Sequence, residues 1–178
     1  MNQRRSFLKS SVALASVIGV PGLAKAAQAA PGERVLRLYN THTGESLKSV
    51  FWAEGQFIPD ALQDINKLMR DHRNNKIAPI DPQLLLLVNE VNSKFGGTQQ
   101  LHIISGYRSP ESNAKLHANS SGVAKRSMHM DGKAIDIRLP GKDLAQLRKA
   151  AMSLRGGGVG YYPDSQFVHM DTGRVRYW

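Results

Sequence analysis

Residues 127–136 read Ser127-Met128-His129-Met130-Asp131-Gly132-Lys133-Ala134-Ile135-Asp136, and the rest of the chain is organised around them. His129 lies in a polar segment that ends at Gly132, after which Ala134-Ile135-Asp136-Ile137-Arg138-Leu139 alternates as a β-strand. Side chains two apart on a strand share a face, so Ala134, Asp136 and Arg138 point the same way. A carboxylate directed from a strand into an interior needs a partner. A metal ion is one such partner, and a local arginine or backbone donor is the alternative. A second imidazole arrives in Phe167-Val168-His169-Met170-Asp171, where His169 and Asp171 share a strand face. Two histidines and one aspartate are a three-ligand zinc set with a fourth position open to water, so His129, Asp136 and His169 form a candidate catalytic zinc site.

Outward from this stretch the chain alternates strands with amphipathic helices. Val35–Asn40 and Ser46–Trp52 flank the turn residues His42-Thr43-Gly44-Glu45 and predict a hairpin. From Pro59 to Arg73 apolar residues fall at helical spacing. Asp81-Pro82 is an N-cap followed by proline at the first helical position, and this helix runs to Gly96-Gly97. Its Leu84–Val88 segment is apolar all round, which predicts the buried helix. Leu101–Ser105 is a short β-rich run ending in Gly106-Tyr107-Arg108-Ser109-Pro110. Arg108 thus lies just past a strand end, where scaffold-held functional side chains concentrate; a solvated loop arginine is the alternative. A short helix over Glu111–Asn119 precedes the polar loop, and another from Gly141-Lys142-Asp143 to Gly156 follows the central strand. Two final strands, Val159–Tyr162 and Gln166–Met170, flank a Pro163-Asp164-Ser165 turn. The pattern predicts an α+β domain in which a small antiparallel sheet carries the site and helices pack against it.

Composition narrows the class. With 178 residues, 41% of them hydrophobic, the chain can build one core and is not disordered by composition. It contains no cysteine, which excludes a disulfide framework and leaves only nitrogen and oxygen donors for a metal. The formal charge is +10. Residues 1–30 hold four of the 24 basic side chains and none of the 14 acids, so the remainder stays basic. Such a surface favours anionic partners. Nucleic acid is not expected, because no basic–aromatic pattern accompanies the charge. Nothing in the pattern fixes an oligomeric state.

Residues 1–30 read as an export address. Arg4-Arg5-Ser6-Phe7-Leu8-Lys9 is a twin-arginine pattern, followed by a short apolar run from Val12 to Leu23 and the small residues Ala27-Gln28-Ala29. This order predicts a signal peptide cleaved near Ala29 or Ala30, with Ala24-Lys25-Ala26 as the alternative, and a domain over 31–178. The run is too short to span a bilayer, and no other segment approaches that length.

Ser127-x-His129-x-x-Gly132-x-Ala134-x-Asp136 followed by His169 resembles the zinc peptidoglycan peptidases of the D-alanyl-D-alanine carboxypeptidase group, which share the hedgehog/DD-peptidase fold. Three further segments are similar to the YcbK-type murein endopeptidases: Ser105-Gly106-Tyr107-Arg108-Ser109, Gly158-Val159-Gly160-Tyr161-Tyr162 and His169-x-Asp171-x-Gly173-x-x-Arg176-x-Trp178. The resemblance covers about residues 33–178. It implies a periplasmic Zn2+ enzyme that hydrolyses the cross-linked peptides of peptidoglycan, with His129, Asp136 and His169 as ligands. It makes Arg108 the side chain that binds a substrate carboxylate or steadies charge on the carbonyl oxygen, and Ser127 a support behind the site. Relatives in this group place an acid or a histidine three residues before the last ligand. Here that residue is Gln166, which takes no proton, so Asp171 is the expected replacement base and Asp164 a weaker candidate. Two other readings remain open: a D-alanine carboxypeptidase acting on stem peptides, and a non-catalytic wall-binding module.

Overall fold

The computed structural model describes residues 32–120 and 122–178. The expected twin-arginine leader over 1–30 lies outside the described residues. The chain order is β1 (Arg34–Asn40), β2 (Ser46–Ala53), β3 (Gln56–Phe57), α1 (Pro59–Leu68), α2 (Pro82–Ser93), β4 (Gln100–Ser105), α3 (Pro110–Asn119), a 3-10 turn (Met128–Asp131), β5 (Ala134–Arg138), α4 (Leu144–Leu154), β6 (Gly158–Tyr162), β7 (Phe167–Asp171) and β8 (Arg176–Tyr177). The fold is α+β, as expected. Its sheet is wider than expected and mixed: eight strands in the order β3-β2-β1-β4-β5-β7-β6-β8. β1 lies parallel to β4, and β6 parallel to β8. Two causes explain the difference. The segment β2-β3-α1-α2 connects β1 to β4 and supplies the crossover that a parallel pair requires. Strands β3 and β8 are two residues each, too short to show an alternation.

Local chemistry sets the helix ends. Asp81 caps α2 by accepting from the Gln83 N–H at 2.9 Å, and Pro82 needs no intrahelical donor in the first turn. Asp143 caps α4 in the same way through Gln146 N–H at 2.8 Å. Helix α1 stops at Leu68 instead of continuing to Arg73. The chain leaves the helix because Asp71, fully buried, accepts from the Ser109 backbone N–H at 2.9 Å and the Ser109 hydroxyl at 2.8 Å. A buried carboxylate needs those donors, and the need overrides the helical periodicity.

Period-2 alternation divides the sheet into two faces. Ile135, Ile137, Val159, Val168 and Met170 join the core cluster with Leu84, Leu85 and Val88 of α2 and Leu147 of α4. Each such side chain contributes about 1.5–3 kcal/mol when fully buried. The opposite face carries polar groups at the intervening positions. Asp136 pairs with His169, Ala134 with Asp171, and His169 in turn with Gly160. Directly opposed residues point to one side, so the register alone gathers Asp136 and His169.

The link from the 3-10 turn into β5 is held by Gly132, whose φ is +66° and whose carbonyl accepts from Asp81 N–H at 2.9 Å. A Cβ there would overlap the Pro79 carbonyl oxygen. Gly132→Ala is therefore expected to destabilise the domain by about 2–4 kcal/mol, combining positive-φ strain with a backbone clash. Urea unfolding checks this. A midpoint equal to wild type would show that the close approach is not required.

Candidate metal centre and groove

His129, Asp136 and His169 come together from three elements: the 3-10 turn, β5 and β7. One donor atom from each lies within 4.8 Å of the others, and all three residues are buried. Ser127 caps the 3-10 turn, its hydroxyl accepting from His129 N–H at 3.4 Å. Arg108 N–H donates to the His129 carbonyl at 3.1 Å, tying the post-β4 loop to the same turn. Arg108, Ser127, His129, Asp136 and His169 line one groove of about 440 Å³.

Hydrogen bonds fix which ring nitrogen faces inward. His129 Nδ1 is 2.7 Å from the Gly106 carbonyl, which only accepts, so Nδ1 carries the hydrogen and Nε2 turns its lone pair inward. His129 Nε2 is 3.3 Å from Asp136 Oδ2. His169 Nε2 lies 2.9 Å from Asp171 Oδ2 and donates to it, which leaves Nδ1 facing Asp136 Oδ1 at 2.9 Å. With neutral imidazoles, two nitrogen lone pairs converge on one carboxylate. That arrangement calls for a cation, either a proton or a metal ion, and the donor set suits zinc. The backbone carbonyl behind His129 and the carboxylate behind His169 are the partners that orient imidazole ligands in metal sites.

The charges respond accordingly. Burial alone would raise the Asp136 carboxyl, but His129 and His169 outweigh it and hold the group well below the usual carboxylate range. Burial would lower His169, yet its bonds to Asp136 and Asp171 raise it to about 9. Burial would likewise raise Asp171, and its bonds to His169 and Arg176 reverse this.

Asp171 sits elsewhere than a proton acceptor should. It shares a face with His169 as expected, but it is fully buried behind the ring. Oδ1 accepts from Gly158 N–H at 3.1 Å and Gly173 N–H at 2.8 Å, and Arg176 forks onto both oxygens at 3.0 and 2.7 Å. A carboxylate so saturated and so acidic cannot collect a proton from the groove, so the geometry corrects the expected role of Asp171 from base to anchor of His169. Gln166 is exposed and turned toward the Pro163 carbonyl, and Asp164 is exposed in the same turn. Neither lines the groove, and Asp136 is the only carboxylate among the described residues that does. Arg176, Tyr162 and Trp178 also line it. All three belong to sequence motifs whose pattern alone assigns them no role. Tyr162 had a usable signal, because it lies two residues beyond Gly160, opposite His169.

An α+β domain with a buried His-Asp-His cluster opening onto a groove defines a metallopeptidase-type site. The family Peptidase_M15_2, described as peptidoglycan L,D-endopeptidase MepK, matches residues 28–178, and the chain belongs to it. The peptidoglycan L,D-endopeptidase MepK of Escherichia coli K12 is 44% identical over 177 residues, covering 99% of this chain and 97% of that protein. That of Shigella flexneri matches to the same extent. The probable peptidoglycan L,D-endopeptidase MepK of Haemophilus influenzae is 40% identical, covering 99% of this chain and 95% of its own length.

Two outcomes are expected. Asp171→Asn should weaken divalent-metal affinity about 10–100-fold, because the partner that orients His169 loses its charge. Competition with a chromophoric chelator measures this, and unchanged affinity would remove Asp171 from the site. With chelator present, the raised His169 pKa should stabilise the fold fully below 6.5, and that contribution should be lost as pH rises through about 9. Melting curves across this window, compared with those of His169→Gln, should differ in slope; parallel curves would contradict the His169–carboxylate bonds.

Proposed function

We propose that the chain is a zinc-dependent murein endopeptidase that hydrolyses peptide cross-links of peptidoglycan. Family membership supports the reaction class, and one observation at the groove carries the substrate. Arg108 is only 9% exposed, lines the groove and has no carboxylate within ion-pair distance among the described residues. Its Nε has no partner, and its other nitrogens reach only Asn113 Oδ1 and Ser105 Oγ, each at 3.4 Å. A buried guanidinium without a counter-charge suits an incoming carboxylate or a carbonyl oxygen that gains charge during the reaction.

His129, Asp136 and His169 are the proposed ligands. When bound, the ion supplies Lewis-acid polarisation of the scissile carbonyl and a nucleophilic water near neutral pH. The protein's own residues hold and orient the reacting groups. Asp171 holds the His169 ring, Ser127 caps the turn carrying His129, and Arg108 orients the substrate and receives developing negative charge. The L,D bond named for the relatives is the proposed target. It joins an L-centre to a D-centre, which sets aside the D-alanyl–diaminopimelate cross-link, whose carbonyl side is D. Murein lies outside the cytoplasmic membrane, and residues 1–30 supply the proposed twin-arginine export to the periplasm. Among the described residues no helix is long and apolar enough to cross a membrane.

A terminal carboxylate would satisfy Arg108 equally well, so D-alanine trimming is the second reading. The non-catalytic reading is set aside on membership of a peptidase family. Digestion of purified cross-linked sacculi by residues 31–178 distinguishes the remaining two. Cross-linked dimers should disappear, chelator should block the loss and zinc should restore it. Release of free alanine with intact dimers would establish the carboxypeptidase instead. Arg108→Lys should lower kcat/KM about 10–100-fold, the value of one charge-assisted hydrogen-bond pair.

A further inference from the structure

The groove has a second flank that the proposed reaction leaves without a role. Strand order places β4, β5, β7 and β6 side by side. Arg108 follows β4, Asp136 lies in β5, His169 in β7, and Tyr162 ends β6. A cationic fork and a phenol therefore stand on opposite sides of the His-Asp-His cluster, and both line the groove.

The Tyr162 ring is firmly held. It stacks on Phe167 with ring centroids 4.6 Å apart and planes 21° from parallel. Its hydroxyl accepts a hydrogen bond from Trp178 Nε1 at 2.8 Å. The Trp178 backbone is fixed in turn: its N–H donates to the Val159 carbonyl at 3.2 Å, and its carbonyl accepts from Tyr161 N–H at 2.9 Å. The Arg176 guanidinium lies over the indole ring, 4.9 Å from its centroid, while the His169 ring is 5.3 Å away. The seat exists because residue 160 is glycine; a Cβ there would come within 2.7 Å of the indole.

This arrangement decides the direction of the phenol hydrogen. An indole N–H only donates, so the Tyr162 oxygen must accept from it. The hydroxyl hydrogen then points away from Trp178, and no acceptor among the described residues takes it. Held on two sides and lining a groove, it is a preorganised donor.

We propose that Tyr162 is a substrate-binding residue. It donates a hydrogen bond to a carbonyl or carboxylate oxygen of the peptide, on the flank of the scissile bond opposite the one Arg108 holds. Trp178 is its positioning residue. The assignment rests on the endopeptidase reading above and adds a specificity contact to it. The contact forms in the ground state as well as in the transition state, so its loss should appear in KM and in affinity while kcat changes little.

The test uses a soluble cross-linked disaccharide-peptide dimer and the wild-type, Tyr162→Phe and Trp178→Phe proteins. Michaelis parameters are measured with zinc present. Dissociation constants are measured by calorimetry with chelator present, when the dimer is bound but not cut. Tyr162→Phe keeps the Phe167 stack and removes only the hydroxyl, so it should raise both KM and Kd about 5–10-fold, the worth of one hydrogen bond, with kcat within about twofold. Trp178→Phe should shift both in the same direction by a smaller factor, with zinc affinity unchanged. A Tyr162→Phe protein with wild-type KM and Kd overturns the inference, as does a fall in kcat with affinity unchanged. In either case a wild type that cuts the dimer leaves the endopeptidase reading standing. A wild type that neither binds nor cuts it overturns both.

Discussion

The Asp171 carboxylate is the joint on which the site depends. It is a negative charge with no access to water, which would be prohibitive without compensation. Compensation comes from the Arg176 fork, two backbone N–H groups and the His169 ring. These donors come from β6, β7, β8 and the loop before β8, so one side chain fastens the C-terminal segment to the sheet. The same bonds select the His169 tautomer and turn Nδ1 toward Asp136. Stability and site geometry are therefore not separable at this residue. Removing the charge would strand a guanidinium and release the imidazole together.

A parallel logic holds the opposite flank. Asp71, also fully buried, binds Ser109 through its backbone and its hydroxyl. Ser109 follows Arg108 directly, and Arg108 itself is pinned through its N–H to His129. The backbone is fixed on both sides while the guanidinium carries no ion pair among the described residues. Such an arrangement leaves a desolvated charge whose field no built-in carboxylate partner cancels. The asymmetry is informative: one buried carboxylate is saturated by five donors, and one buried guanidinium has only weak contacts.

Much of this was legible in the sequence because strand alternation is a strong signal. It put Asp136 on one face of its strand and His169 on the same face as Asp171; the β5–β7 register, which alternation does not give, then sets Asp136 opposite His169, and the 3-10 turn brings in His129. The Asp81-Pro82 cap and the Asp143 cap were legible for the same reason, since local chemistry decides them. What was hidden depends on long-range contacts. Just beyond the end of α1, Asp71 is held by Ser109, 38 positions further along, which periodicity cannot register. Both parallel pairings join strands that are not neighbours in sequence. Alternation also gave Asp171 the right face and the wrong duty. It reports which side a carboxylate points to, not how many donors already surround it.

The position three residues before His169 illustrates the difference between side chain and backbone as carriers of function. The Gln166 amide takes no proton, so the sequence alone implies a missing base at this position. In the fold it lies in the turn between β6 and β7 with φ at 55°, its side chain directed at Pro163 and outside the groove. The turn and the glutamine amide, which donates to the Pro163 carbonyl, together keep this side chain out of the groove. The residue that enters the groove from the same hairpin is Tyr162, paired across the strands with Phe167. The β6–β7 hairpin therefore presents a phenol where the family resemblance implies an acid or a histidine. Its contribution to the site is a neutral donor, matched across the cluster by the cationic one at Arg108.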